Sequence, residues 1–428
     1  MTTVEATMTT PQNTNAPVVR RVWKTPIAYG VFTLVAFVVL LLFGHRGTTT
    51  FNFNAGSTGA LGLPLLTLGV RTTSIVVVAL AAAGCATAFV LVARGASVPV
   101  WLTSLFALDL LTGFLCWAAS GHTLPLPTLL SGSLALSVPL IFGALGGVIS
   151  ERVGIVNVAI EGQLLGGAFA AAVIASVTGS VVAGMLAATV AGMLISFVLS
   201  VFAIKYVVDQ VIVGVVLNVL VLGLTSFLYT AVLVNHTEAL NTAPQLSVIS
   251  VPLLSRIPVL GPVLFQQTAI VYVMYAAVAL VTFGLFKTRW GLRLRAVGEH
   301  PQASDTVGIR VGPTRFWNVA LAGGIAGLGG AYFTLAAVPS FTKDVTSGAG
   351  FIALAAVIFG RWHPVRATLA ALLFGFSSNL QNVLGILGSP VPSDFLLMLP
   401  YVVTIFAVAG LVGRGRGPAA AGRPYTKS

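Results

Sequence analysis

Charged residues are scarce in this chain of 428 residues. Asp, Glu, Lys and Arg make up 7% of it, whereas 57% of the residues are hydrophobic and the mean hydropathy is +1.00. Soluble globular domains carry about 25% charged residues. The scarcity of charge therefore excludes an ordinary soluble domain and indicates a chain that is solvated by lipid.

Acidic residues and cysteines are few as well. The net charge of +12 arises because the chain has 22 basic but only 10 acidic residues. The basic residues lie at the ends of apolar runs, without a stripe of interleaved aromatic residues, and this argues against nucleic-acid binding. Cys85 and Cys116 both fall in apolar runs, so they support neither a disulfide framework nor a thiolate metal site.

Motifs for catalysis are missing too. The five histidines form no metal-ligand pair, and no cluster offers a nucleophile with a base. The phosphate-binding pattern GxxxxGK(S/T) does not occur, so the chain itself is not expected to hydrolyse ATP. We predict no catalytic residues, no metal site and no enzyme activity in this chain.

Apolar runs fill most of the sequence instead. Most of them are long enough to cross a hydrocarbon core of roughly 30 Å as helices. The run at 350–360 is short and predicts a tilted, broken or re-entrant helix. The sequence thus predicts an all-α, polytopic integral membrane protein with about 10–12 transmembrane helices. The runs cover residues 25–44, 71–93, 97–119, 128–149, 155–177, 179–203, 210–233, 267–286, 316–338, 350–360, 367–387 and 395–412.

The basic residues predict the orientation of these spans. If the N-terminus is cytoplasmic, all but four of the 22 Lys and Arg residues lie in cytoplasmic segments. Membrane proteins concentrate Lys and Arg on that side, so both termini are predicted to be cytoplasmic. The first run is long and lacks a clean cleavage site, which favours a retained span over a signal peptide. The loops at 234–266 and 339–349 are predicted to be external.

One long polar segment, residues 287–315, interrupts the apolar runs and carries six basic residues. The same charge rule places it in the cytoplasm. Pro301 suits a first helical turn, Gln302–Val307 can form a short helix, and Gly308 can end it. Spacing alone leaves two interpretations open. The segment is either a docking element for another protein or a solvated basic loop that only sets the topology.

Several polar side chains fall inside or beside apolar runs. Glu161 and Gln163 lie close to Asn157, and Asn218 lies two turns into a later run. A carboxylate within a membrane costs several kcal/mol unless it is paired, hydrated or protonated. The group around Glu161 therefore either shapes a translocation path or forms an internal polar clasp with a neighbouring helix. Asn218 is a candidate for an amide that faces the path.

Other positions favour structural roles. Asp209 begins an apolar run, where a carboxylate can cap the helix N-terminus. Asp109 lies midway along the third run without an obvious local partner, and its role stays open. Small residues at three- and four-residue spacing predict close helix packing: Gly323, Gly324, Gly327 and Gly330.

Four segments occur in order: SERVGIVNVAIEGQLLGGAF (150–169), DQVIVGVVLNVL (209–220), GLRLRAVGEHPQASDTVGIRV (291–311) and GFIALAAVIFGRWHP (350–364). Together they resemble the permease family of bacterial ABC importers for simple sugars, branched-chain amino acids and nucleosides. The second permease of nucleoside-type importers is the most similar member type. The resemblance implies a permease core at 125–412. It does not extend to residues 1–124, where the polar composition predicts a disordered cytoplasmic tail at 1–24 and the apolar runs predict an extra region of about three spans at 25–124. Residues 413–428 would form a cytoplasmic tail.

In that family, the segment matching 291–311 is the coupling loop that contacts the ATP-hydrolysing subunit. The resemblance therefore implies that residues 287–315 form a coupling segment, that ATP and Mg²⁺ are bound by a partner subunit, and that this chain binds no cofactor. The implied coupling residues are Gly291, Arg293, Arg295, Gly298, Glu299, Pro301, Ala303, Asp305, Thr306, Val307 and Gly308. Glu161, Gln163, Asn157 and Asn218 would line or shape the translocation path.

The resemblance also implies partners and a function. The partners would be an ABC ATPase subunit, a second permease in a heterodimer, and an external substrate-binding lipoprotein that docks on loops 234–266 and 339–349. The complex would take up nucleosides, purine nucleosides in particular, across the bacterial plasma (inner) membrane by ATP-driven alternating access. A permease for a simple sugar such as ribose or galactose is the alternative. An ion-coupled secondary transporter is less favoured, because no repeat of paired interrupted helices is evident.

Overall fold

The apolar runs form helices almost throughout the computed structural model, which describes residues 23–54, 63–389, 391–392, 394–395, 398 and 417–426. The helices in this part of the chain are α1 (Lys24–Phe37), α2 (Val70–Ala93), α3 (Val100–Ala118), α4 (Leu126–Arg152), α5 (Ile160–Thr178), α6 (Val181–Ser200), α7 (Gln210–Leu228), α8 (Thr237–Leu240), α9 (Leu260–Leu264), α10 (Ala269–Lys287), α11 (Arg289–Glu299), α12 (Pro301–Thr306), α13 (Val311–Tyr332), α14 (Ala349–Phe359) and α15 (Pro364–Leu387).

Five short strands lie between the helices: β1 (Thr48–Asn52), β2 (Leu66–Gly69), β3 (Thr123–Pro125), β4 (Val248–Ser250) and β5 (Gln266–Thr268). Residues 50–52 of β1 pair in parallel with β3. Strands β4 and β5 form an antiparallel pair within the segment that joins α8 to α10.

Ten helices in the described part of the chain are long and apolar enough to cross a membrane. The predicted all-α, polytopic membrane fold is confirmed. Helix α14 has 11 residues and is the short helix expected at 350–360. The predicted span at 395–412 and most of the tail at 1–24 lie outside the described residues. The cytoplasmic position of the termini stays a prediction.

Local sequence explains several helix ends. The Asp209 carboxylate accepts hydrogen bonds from the backbone N–H groups of Val211 and Ile212 at 2.8 and 3.1 Å, which confirms the predicted cap of α7. Gly179 ends α5 with a φ of +64°, a conformation that glycine adopts without steric cost. The Ser180 hydroxyl then caps α6 by accepting a hydrogen bond from Ala183.

The chain divides into two compact units. One comprises Met1–Thr49 and Leu68–Gly121 and contains α1, α2 and α3. Within it, the ring of Tyr29 stacks on Phe106 at 4.0 Å, and its hydroxyl donates a hydrogen bond to Thr103. Asp109 lies on α3, and its Oδ2 is buried without a hydrogen-bond partner among the described residues.

The other unit comprises Thr50–Thr67 and His122–Ser428, and α4 forms its centre. In the most apolar 18-residue stretch of α4, 83% of the residues are buried, a larger share than in any other span described. Helices α13, α14 and α15 pack against α4, and α13 also packs against α5 and α6. The α4 side chains of Phe142, Ile141 and Leu145 are fully buried.

Helix α13 approaches its neighbours closely because glycines replace larger side chains along it. A Cβ at Gly330 would lie 2.0 Å from the carbonyl oxygen of Leu164 on α5. A Cβ at Gly327 would lie 2.3 Å from the carbonyl oxygen of Ala188 on α6. Both distances are too short for any side chain, so the predicted packing role of this glycine stripe is confirmed.

Replacing Gly330 with valine is therefore expected to force α13 away from α5. Overpacking of a tight core costs about 1–3 kcal/mol or more. The variant should lose folded protein in detergent, measured as the monodisperse fraction that survives a temperature series. Gly223→Val is the matched control, because a Cβ at Gly223 on α7 meets nothing within 4 Å. Equal thermal stability of the two variants would contradict this account of the packing.

Candidate functional site

Two interrupted helical segments meet inside the larger unit. Helix α4 ends at Arg152, and α5 begins only at Ile160, after a non-helical stretch. Helix α14 ends beside the last turn of α4, where the Arg152 Nε donates a hydrogen bond to the Trp362 carbonyl oxygen at 2.9 Å. With 11 residues at 1.5 Å each, α14 is about 16 Å long. Its length is therefore about half the thickness of a hydrocarbon core of roughly 30 Å.

The carboxylate of Glu161, in the first turn of α5, binds the start of α14. Its Oε1 accepts hydrogen bonds from the Thr346 hydroxyl at 2.5 Å and from the Gly348 N–H at 2.9 Å. Its Oε2 accepts a hydrogen bond from the Gly350 N–H at 2.6 Å. A negative charge at a helix N-terminus is also stabilised by the helix dipole. Glu161 thus caps a helix that lies far away in the sequence.

The backbone around this contact is shaped to admit the carboxylate. Gly348 has a φ of +82°, in the left-handed region that favours glycine. A Cβ at Gly350 would lie 2.4 Å from the backbone nitrogen of Glu161, so only glycine allows α14 to approach α5 this closely. Of the two interpretations that the sequence left open, the structure therefore shows the internal clasp.

A second polar cluster holds the stretch between α4 and α5. The side-chain amides of Asn157 and Gln163 bond each other reciprocally at 3.1 Å, and Gln163 also donates to the Ser196 hydroxyl on α6 at 2.9 Å. All three side chains are fully buried. These hydrogen bonds hold α5 against α6, because Gln163 lies on α5 and Ser196 lies on α6.

Helix α7 holds the same stretch from the other side. The Asn218 Oδ1 accepts a hydrogen bond from the Gly162 N–H at 2.8 Å, and its Nδ2 donates to the Val158 carbonyl oxygen at 2.9 Å. The Gln210 Oε1 accepts a hydrogen bond from the Val156 N–H at 2.7 Å. Asn218 is 8% exposed. It satisfies backbone groups of a broken helix, as a membrane interior without water requires.

The four path residues predicted from the sequence therefore lie together, but each of them binds other parts of this chain. Their role in lining a path stays a prediction. What the arrangement does directly is to set the position of two helix N-termini, those of α5 and α14, well inside the bundle.

The sequence did not indicate how deeply the segment before α14 enters the bundle. It was expected as an external loop, yet Phe341 is fully buried and exchanges two backbone hydrogen bonds with the Asn241 amide at 2.7 and 3.0 Å. The Phe341 ring packs edge-on against Phe169, at 5.2 Å between centroids. Phe169 lies midway along α5, so the segment runs inward from that level to Glu161. Such long-range contacts leave no local signal in the sequence.

Four polar side chains of this inward segment are exposed: Thr342, Lys343, Asp344 and Ser347. Asp344 and Ser347 have φ values of +52° and +43°, so the backbone turns tightly here. The only signal in the sequence is a charged pair placed directly before a short apolar run.

The coupling segment forms two helices. Helix α12 confirms the predicted short helix, with Pro301 in its first turn and Gly308 just beyond its end at a φ of +85°. Helix α11 was not predicted. It begins where the Thr288 hydroxyl accepts a hydrogen bond from the Gly291 N–H at 3.2 Å. The indole N–H of Trp290 joins it to α13 by donating to Asn318.

The predicted coupling residues divide into a buried and an exposed set. A Cβ at Gly291 would lie 2.2 Å from the carbonyl oxygen of Gly284, and one at Gly298 would lie 2.0 Å from that of Arg152. These glycines, together with Pro301, attach the segment to the bundle. Val307 is 74% exposed. The other residues at least partly exposed are Arg293, Arg295, Glu299, Ala303, Asp305, Thr306 and Gly308.

The C-terminal tail, residues 417–426, lies against the coupling segment. The Ala420 N–H donates to the Gly298 carbonyl oxygen at 2.9 Å, and the Ala419 N–H donates to the Glu299 carboxylate at 3.2 Å. Partial burial and a hydrogen bond to Asp305 raise the pKa of the Tyr425 phenol. This contact could not be predicted from the sequence, because the tail has neither periodicity nor a motif.

A polar and aromatic cluster connects the coupling segment with α14. The indole N–H of Trp362, just beyond α14, donates to the Glu151 carboxylate at the end of α4. The guanidinium groups of Arg152 and Arg295 lie 5.9 and 5.1 Å from the centre of the Phe286 ring. We call these five residues the basal cluster. It joins α4, α10, α11 and the end of α14.

His363 packs beside the basal cluster, its ring stacked on Phe286 at 4.7 Å. Burial lowers the pKa of His363, and the positive charges of Arg366 and Arg152 lower it further. Both effects favour the neutral form of the imidazole. Among the described residues, no group of three or more His, Cys, Asp or Glu side chains could hold a metal ion.

Comparison with known proteins identifies the family to which this chain belongs. Residues 129–408 match the family described as the permease component of branched-chain amino acid transport systems. The match covers more than half of the sequence. The chain belongs to this permease family. The matched range contains the Glu161 clasp, the basal cluster and the coupling segment.

Three relatives of the permease illustrate its similarity. The guanosine ABC transporter permease protein NupQ of Bacillus subtilis is 39% identical over 312 residues, which cover 71% of this chain and 97% of NupQ. The nucleoside ABC transporter permease protein NupC of Lactococcus lactis is 40% identical over 313 residues, or 71% of this chain and 98% of NupC. TsgC13 of Haloferax volcanii, a permease proposed for glucose, is 35% identical over 257 residues, which cover 59% of this chain and 76% of TsgC13.

The permease also matches a second permease protein from each of the first two organisms. NupP of Bacillus subtilis, likewise named for guanosine, is 27% identical, and NupB of Lactococcus lactis, likewise named for nucleosides, is 26% identical. No solved structure matches the chain.

Removal of the Glu161 carboxylate should destabilise the permease and impair transport. In Glu161→Ala, the buried N–H groups of Gly348 and Gly350 lose their acceptor, and each unsatisfied group costs about 1–3 kcal/mol. We expect a lower unfolding temperature in detergent and lower uptake in cells. Glu161→Gln keeps one carbonyl acceptor, so its unfolding temperature and its uptake should lie between those of Glu161→Ala and those of the wild type. Asp109→Ala is the control, and uptake close to wild type in both alanine variants would contradict the prediction.

Proposed function

We propose that this chain is a permease subunit of a bacterial ABC importer for nucleosides. The observation that carries the proposal is the similarity to NupQ and NupC over 97% and 98% of their lengths. Similarity on that scale includes the bundle, the coupling segment and both interrupted helices. The complex would lie in the bacterial plasma (inner) membrane, with the coupling segment on the cytoplasmic side because of its basic residues.

The proposed mechanism is ATP-driven alternating access, with ATP and Mg²⁺ bound by a partner ATPase. The exposed end of the coupling segment supports docking of that subunit, since Val307, just beyond α12, is an exposed apolar side chain that lines the same groove as Arg293 of α11. Docking would move α11 and α12, which are anchored to the bundle by Gly291 and Gly298.

The basal cluster gives this motion a physical route to α14. Arg295 of α11 and Arg152 of α4 contact the same Phe286 ring, and Arg152 also bonds the backbone of Trp362. A shift of α11 would therefore displace the C-terminal end of α14, while Glu161 holds its N-terminal end. Two packed arrangements of α14 would open the path to one side at a time.

The relatives support a second permease as a partner. Two permease proteins carry the guanosine name in Bacillus subtilis and two carry the nucleoside name in Lactococcus lactis. We infer that this chain pairs with a second, related permease and that the substrate passes between the two. An external binding lipoprotein would deliver it to the side that carries residues 234–266.

The glucose permease TsgC13 keeps a sugar as the second candidate substrate, although it matches a smaller part of the chain. Measurement of uptake in cells distinguishes between a nucleoside and a sugar as the substrate. Cells that lack this chain should lose uptake of labelled guanosine, and in wild-type cells excess nucleosides but not excess ribose or glucose should compete with the label. Unchanged guanosine uptake in the deletion strain, in cells without another nucleoside importer, would contradict the proposal.

Charge on the docking surface should uncouple the transporter. Val307 and Ala303 are both exposed on the coupling segment, so Val307→Arg or Ala303→Arg should leave folding intact while preventing contact with the ATPase. We expect the arginine variants to reach the membrane at normal levels, to copurify less ATPase and to lose most uptake. Ala303→Ser is the control of similar size and should behave as wild type. Normal ATP-dependent uptake by well-expressed arginine variants would contradict the coupling role.

A further inference from the structure

The inward segment before α14 exposes charged side chains where a membrane protein cannot present them to lipid. Phe341 lies level with Phe169, eight residues along α5 from Glu161, a distance of about 12 Å. The segment from Thr342 to Ser347 lies between these two levels. Non-helical backbone and ionisable side chains at such depth are tolerated only against protein or water.

The surroundings of this segment differ from the lipid-facing side of the bundle. On α6, the exposed positions recur every four residues and are all apolar: Val182, Leu186, Val190, Leu194 and Val198. The exposed residues of the segment, which we call its polar face, carry hydroxyl groups and one charge of each sign, and the Lys343 Nζ lies 5.8 Å from the centre of the Tyr229 ring. Because the two charges balance, this face suits water and a neutral polar solute rather than an ion.

An exposed aromatic ring lies next to the polar face. Phe351, in the first turn of α14, is 50% exposed. Its Cδ2 lies 3.9 Å from the position that a Cβ would occupy at Gly348. An aromatic face beside hydrogen-bonding groups is the combination that a nucleoside requires, since the base can stack on the ring while hydroxyl groups bind the ribose.

We propose that the segment Thr342–Ser347 and the ring of Phe351 form the wall that this chain contributes to the translocation path. The Phe351 ring contacts the nucleobase, and the Asp344 carboxylate and the Ser347 hydroxyl oxygen accept hydrogen bonds from ribose hydroxyl groups, while the Ser347 O–H donates to the Asp344 carbonyl oxygen at 2.9 Å. The inference rests on the proposed function, because it assigns the substrate as a nucleoside. Glu161 acts behind this wall as a positioning residue, through its bonds to Thr346, Gly348 and Gly350.

Cysteine accessibility in the whole transporter tests whether the segment Thr342–Ser347 is exposed to water. In intact cells, with Cys85 and Cys116 replaced by serine, we would introduce Ser347→Cys or Thr342→Cys and apply a charged, water-soluble methanethiosulfonate. Leu194→Cys is the control, since Leu194 is exposed on the apolar α6 stripe two residues from Ser196, the partner of Gln163. We expect labelling of both path variants at least ten-fold faster than labelling of the control, and slower labelling when guanosine is present.

Labelling of Ser347→Cys and Thr342→Cys as slow as that of Leu194→Cys would overturn the inference, whereas the proposed function would survive if guanosine uptake still required the chain. Fast labelling that ribose but not guanosine suppresses would overturn the nucleoside assignment and with it the proposed function.

The ring of Phe351 has its own test. Phe351→Ala should raise the half-saturating concentration for guanosine uptake at least about five-fold, the loss expected for the weakest base–aromatic stack. Phe351→Tyr, which keeps the ring, should restore wild-type uptake. Ile358→Ala is the control, because Ile358 is 47% exposed two turns further along α14. Equal effects of the two alanine variants would overturn the role assigned to the ring.

Discussion

The contact between Glu161 and the start of α14 is the interaction on which the centre of this bundle depends. A helix that begins inside a membrane presents N–H groups that no water can satisfy. The carboxylate solves this problem for Gly348 and Gly350, and the helix dipole in turn stabilises the charge. Neither partner is tolerable alone at this depth. The pair therefore specifies where α14 can begin.

Around that contact, irregular stretches of backbone are held by amide side chains from other parts of the chain. Asn218 binds the backbone at Gly162, Asn241 binds Phe341, and Gln163 bonds Asn157 and Ser196. Amides suit this task because one side chain both donates and accepts. The bundle thus combines long helices with two interrupted ones whose positions are defined by a few hydrogen bonds.

Length and hydropathy were enough to predict the spans, since a membrane imposes a minimum length on an apolar helix. The Asp209 cap, the glycine stripe of α13 and the α12 helix also followed, because each depends on neighbours close in sequence. The partners of Glu161 did not follow: Thr346 and Gly350 lie almost 200 residues away. Helix α11 was missed because its basic residues resemble a solvated loop. The tail contact depends on backbone groups, which every residue type possesses.

The position of the tail has a practical consequence for anyone who isolates this protein. Its backbone is bound to Gly298, and Arg315 donates a hydrogen bond to the carbonyl oxygen of Arg423 at 3.2 Å. An affinity tag or fluorescent protein fused after Tyr425 would emerge beside α12. Such a fusion would crowd the face where the ATPase is proposed to sit, and a purified complex could lack that subunit for reasons unrelated to affinity. A tag inserted elsewhere keeps this face open.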